Sequence, residues 1–127
     1  MNISKNYNLN FVVSTDRYGN KSPEIICKLD SSGSTINDSI ASFIGGMGPE
    51  WIDHTIYEII SEDPFNKPLF EYGVNGSYDE VVEISSPPAV AIFNDGVVIP
   101  LQDFLAILQE WKDFLNSLPY QHILSNK

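Results

Sequence analysis

Cysteine, histidine and positive charge are scarce in this 127-residue chain, and each scarcity closes off chemistry. Cys27 is the only cysteine, so no intrachain disulfide can form and no cysteine zinc cluster can be built. It lies in "EIICKL" among β-branched apolar residues, where a free thiol packs as a small hydrophobe. His54 and His122 are the only imidazoles. "HTIYE" sets His54 and Glu58 four apart on one helical face, two ligands where a metal centre needs three or four. No metal and no cofactor is expected. "GGMGPE" follows a helical pattern and lacks the Lys-Ser or Lys-Thr of a phosphate loop, so it reads as a connection between helices. Carboxylates are so numerous that chance makes many of them neighbours, and no pair stands out as a general acid and base. A small enzyme using paired carboxylates would need a cleft holding two acids with raised pKa values. The expectation is a protein that is not an enzyme.

Seven Lys and Arg against 17 Asp and Glu leave a formal net charge of −10. Nucleic acid and anionic membrane surfaces are repelled at long range, and a basic protein is attracted for the same reason. Apolar runs stay short of the ~18–20 residues of a membrane span. The opening "MNISKNYNLNFVV" lacks the long apolar core of a signal peptide. Together with the cysteine usage, this makes a reducing, cytoplasmic setting the expectation.

What is present suggests a single domain over residues 1–127, long enough to bury a core. "NYNLNFVVS" alternates and then turns apolar, a strand pattern; "TDRYGNKS" is a turn and "PEIICKL" the returning strand. Ser34 or Thr35 can cap a helix with Ile36, Ile40, Phe43 and Ile44 on its buried face, stopped by Gly45 and Gly46. A second helix starts at Pro49, buries Ile52, Ile56, Ile59 and Ile60, and ends before "EDPFNKP". "LFEYGVNGSYDEVVEIS" reads as two strands about Asn75-Gly76, and "AVAIFNDGVVI" as two about Asp95-Gly96. Alternation puts Tyr78, Glu80, Val82 and Ile84 inward, with Asp79, Val81 and Glu83 outward.

The last helix runs from about Pro100 to Leu118. Leu101, Phe104, Leu105, Ile107, Leu108, Trp111, Phe114, Leu115 and Leu118 cover about half its circumference, which fits a helix laid across a sheet. The fold expectation is α+β in the order ββααββββα. A mainly antiparallel sheet of about six strands packs on a long C-terminal amphipathic helix and two shorter ones.

Charge is uneven. Glu50, Asp53, Glu58, Glu62, Asp63, Glu71, Asp79, Glu80 and Glu83 face only Lys67 between positions 50 and 83. Such crowding costs stability through self-repulsion, a cost that a cationic partner removes. Trp51, Glu58 and Glu62 share one side of the second helix, within about 40°, which makes Trp51 a candidate aromatic anchor beside acids. Alternatively, Trp51 folds back onto the core. Asp79 and Glu83 either extend the acidic surface or guard an exposed edge strand.

"DRYGNKSPEI", "EWIDHTIYEI" and "IPLQDFLAILQEWKDFL", in that order, resemble small bacterial immunity proteins of polymorphic-toxin and contact-dependent growth inhibition systems. The resemblance implies a non-enzymatic inhibitor in the bacterial cytoplasm that neutralises a cognate toxin domain, often a basic nuclease. No binding residue carries over from it, so the candidate partner-binding residues remain Trp51 and the nine acids. Other classes weighed are an acidic adaptor or chaperone for a basic secreted effector, and a mimic of nucleic acid. Homo-oligomerisation is left open.

Overall fold

A computed structural model describes residues 2–29, 31–33 and 37–119. Strands β1 (Leu9–Thr15) and β2 (Lys21–Cys27) form an antiparallel hairpin. Helices α1 (Asp38–Gly45) and α2 (Pro49–Ser61) follow, then β3 (Leu69–Asn75), β4 (Val81–Ser86), β5 (Val90–Ile92) and β6 (Val98–Pro100), and finally α3 (Leu101–Ser117). The order is the expected ββααββββα. The strands, however, split into two antiparallel sheets, one of two strands and one of four in the order β3-β4-β5-β6. Among the described residues, no helix is long and apolar enough to cross a membrane.

The last helix is core, as its wide stripe implies. Leu101, Phe104, Ile107, Leu108, Trp111 and Leu115 are buried, while Phe114 is half-buried. Aromatic rings bind the layers together. Phe11 of β1 meets Trp111 edge-on at 5.1 Å between centroids, and Phe93 meets Phe43 of α1 and Phe104 of α3 at 6.0 and 5.7 Å. Such pairs add roughly 0.5–1.5 kcal/mol beyond their buried area.

The polar side of α3 is also engaged. Residues 3–7 form a 3-10 turn ahead of β1, where the sequence pattern had suggested strand from Asn6. The Glu110 carboxylate accepts the backbone N–H groups of Ile3 and Ser4 at 2.8 and 3.1 Å, and the Tyr7 hydroxyl donates to Asp103. Two acids outside the apolar stripe of α3 thus tie the N-terminal segment to that helix.

Two local expectations change, and a third falls outside the described residues. The cap residues Ser34 and Thr35, with Ile36, lie outside the described residues; α1 starts at Asp38 after Asn37, whose side-chain amide donates to the Tyr7 carbonyl at 2.8 Å. Gly46 does not close α1 in a left-handed conformation (φ is −98°). Its lack of a side chain matters because a Cβ there would meet Ser77 Oγ at 2.9 Å, and its N–H donates to that oxygen at 2.8 Å. On α2 the buried residues are Trp51, Ile52, Thr55 and Ile59, while Ile60 is 56% exposed. Burying the large Trp51 ring rotates the helix toward 51, 55 and 59, one i, i+4 ridge, and turns Ile60 out.

Register divides the larger sheet into two faces. Ile84 opposes Ala91 and Tyr72, Val82 opposes Val74, and Ala91 opposes Ile99. These residues make the inner face, and all but the half-buried Tyr72 are almost fully buried. The outer face carries Gly73, Glu83, Ile92 and Val98 across the strands, with Val81, Val90 and Pro100 beside them.

A candidate partner-binding groove

Tyr78 organises the candidate site. The expected two-residue Asn-Gly turn is instead a five-residue loop from Gly76 to Glu80, closed by the Gly76 N–H donating to the Glu80 carbonyl at 2.8 Å. Gly76 lies against the core, since a Cβ there would come within 2.5 Å of the Phe43 ring. Close backbone approach therefore fixes this glycine, and the left-handed residues are Tyr78 and Asp79, both at φ 58°. A non-glycine residue held there costs roughly 1–2 kcal/mol. The conformation lifts Tyr78 out of the inward strand position that alternation suggested, and leaves it 82% exposed.

Two concavities meet at that ring, and a third continues from them past Trp51. One of about 510 Å³ lies between β2 and α1 and is lined by Glu24, Asp38, Ser42, Gly46 and Tyr78. A second of about 340 Å³ shares Gly46 and Tyr78 with the first and adds Trp51 and Asp79. The third, about 200 Å³, shares Trp51 and adds His54, Glu58 and Asn75. Shared walls make them one open groove running from β2 past Tyr78 to α2. Glu24, Asp38, Glu58 and Asp79 line it, and no lysine or arginine does among the described residues.

Trp51 is only 8% exposed and forms part of the groove floor. Of the two expectations for Trp51, folding back onto the core is the one that holds: in the first turn of α2 its ring is buried, and its place as a protruding anchor falls. Beside it, His54 Nε2 lies 3.0 Å from Glu58 Oε1. Glu80, half-buried, accepts a hydrogen bond from Ser42 Oγ, so it braces the loop against α1.

The other central acids do not gather at the groove. Asp53 is neutralised by Lys112 Nζ at 2.7 Å, an α2–α3 contact. Glu58 and Glu62 lie close enough to Tyr72 to raise the pKa of that phenol, after the larger effect of burial. Asp63 has φ 53° past the end of α2, and Glu50 is exposed in that helix's first turn. Glu71 occupies a bulge in β3, and Glu83 stands on the outer sheet face. The negative charge is therefore divided between groove, α2 and sheet. Glu24 and Asp38 join the groove from outside the acidic middle, and Tyr78 joins it from a position assigned to the interior. Their membership depends on the packing of α1 against β2 and on the 76–80 loop, neither of which has a local sequence signal.

Burial and a hydrogen bond to Asp38 push the Cys27 thiol up to about 12, so it stays protonated at neutral pH and is a poor nucleophile. Among the described residues, no group of three or more His, Cys, Asp or Glu is placed to hold a metal ion; His122 lies outside them. Compared with known proteins, the chain matches no family model, no curated protein and no solved structure.

Proposed function

We propose that this chain is a non-enzymatic inhibitor of the immunity type, which occupies a cationic surface of a cognate toxin domain through its acidic groove. The observation that carries this reading is the groove itself: Glu24, Asp38 and Asp79 line the parts shared with Tyr78, whose ring is 82% exposed, Glu58 lines the continuation past Trp51, and no lysine or arginine lines it among the described residues. Tyr78 takes the anchoring part that the buried Trp51 cannot. Tyrosine supplies large contact area with few rotatable bonds, and the flanking acids select for lysine and arginine. With a net charge of −10, the chain attracts a basic domain at long range, which speeds encounter by about 10- to 1,000-fold at low salt.

The reading expects the adjacent gene to encode a protein ending in a basic domain. The test titrates this chain into that domain and follows its activity. Complete loss at a one-to-one ratio, with weaker inhibition by Tyr78→Ala, is the expected result. A stable complex that leaves the domain active would make the chain a carrier or chaperone instead. Absence of a complex would remove the reading.

A further inference from the structure

We infer that the outer face of the four-stranded sheet is a second docking surface, for a partner protein that presents an apolar patch bearing one lysine or arginine. This goes beyond the groove and stands on different residues. The inner face is covered, with Ile84, Ala91 and Ile99 at 0–3% exposure. The register sends Val81, Glu83, Ile92 and Val98 to the opposite side, where Val81 is 48% and Val98 54% exposed. Phe70, 74% exposed in the β3 bulge opposite Ser85, extends the apolar surface at the sheet edge.

Glu83 identifies the occupant. Its neighbours across the strands are Gly73 and Ile92, and no lysine or arginine pairs with it among the described residues. A lone half-buried carboxylate among aliphatic residues favours a partner that brings the missing cation. A second copy of the chain fits badly. A two-fold stack of this face brings neither Glu83 a cation from the residues named on it and puts both carboxylates into one small interface, between chains that each carry −10. The sheet face alone, four strands at about 4.8 Å spacing and roughly 10–20 Å long, offers only on the order of 200 Å². A stable interface needs about 800 Å² per partner, so the occupant must reach beyond the sheet, over the Phe70 edge.

The test is an amide-shift titration of the whole chain with two synthetic nonapeptides of Val and Ile, one carrying a central Lys and the other a central Glu. The Lys peptide is expected to move the amides of Gly73, Glu83, Ile92 and Val98. Glu83→Gln should weaken it about fivefold, the value of one partly exposed charge contact. The Glu peptide should move none of them. Equal shifts with both peptides, or no shift on this face, would overturn the inference. So would sedimentation showing self-association that Glu83→Gln tightens, which would make a second copy the occupant. Lys-peptide shifts confined to residues around Tyr78 would also remove this surface, while leaving the inhibitor reading in place.

Discussion

Trp111 donates its indole N–H to the main-chain carbonyl of Met47, 3.2 Å away and 64 positions earlier in the chain. Both residues are fully buried, so this bond fixes α3 against the connection between α1 and α2, the segment that holds Gly46 at the groove. Trp111→Ala should cost about 3–5 kcal/mol through the cavity it opens. Trp111→Phe keeps most of the volume and leaves the Met47 carbonyl unpaired, a cost of about 1–3 kcal/mol. Denaturant unfolding measures both. Little change in either variant would mean that α3 does not pack as described.

Glycines at different places should respond differently to alanine. At Gly76 the added Cβ strikes the Phe43 ring at 2.5 Å, and overpacking of this kind costs about 1–3 kcal/mol. Gly45 ends α1 with nothing within 4 Å of an added Cβ, so Gly45→Ala should be neutral or stabilising by up to about 1 kcal/mol. Thermal unfolding of the two variants side by side gives the contrast, and equal effects would contradict the loop geometry.

Tyr78 offers a separation of stability from binding. Glycine accepts φ 58° without the penalty a tyrosine bears, and the ring is too exposed to contribute much packing. Tyr78→Gly should therefore raise stability by about 0.5 kcal/mol, the left-handed penalty less the entropy glycine loses on folding. The same variant should inhibit the partner less well. A marked loss of stability would show that Tyr78 is a structural residue.

Alkaline pH should weaken the fold. Burial, with help from Asp103, lifts the Tyr7 phenol to about 12, and the Cys27 thiol is likewise lifted to about 12. Both groups bind protons more tightly folded than unfolded. Their contribution is complete below their ordinary pKa values, near 8.5 for the thiol and 10 for the phenol, and is lost as pH rises toward 12. Melting temperature should fall across that window, and less steeply in Tyr7→Phe and Cys27→Ala. Parallel pH profiles for wild type and both variants would contradict this.

The element order and the buried stripe of α3 were legible because both are written in local periodicity. Leu101 to Leu115 repeats at helical spacing, and the Asp95-Gly96 turn separates two short apolar runs. The groove was not legible. Tyr78 follows an Asn-Gly pair that usually makes a two-residue turn, yet contact between Gly76 and Phe43, 33 positions earlier, forces a longer loop. Trp51 and Glu58 share a helical side on a wheel, but the wheel cannot say which residue the β3–β4 loop will cover. The charge imbalance was plain in the composition. Its division among groove, helix and sheet was set by tertiary packing.

The groove's charge can be tested directly with the triple variant Glu24→Lys, Glu58→Lys and Asp79→Lys. Its association rate with the basic domain encoded by the adjacent gene should be followed across a range of salt concentrations. Relative to wild type, association should slow by about tenfold or more at low salt, with a flatter salt dependence and little change in melting temperature. An unchanged rate and salt slope in a folded triple variant would show that these carboxylates do not meet the partner.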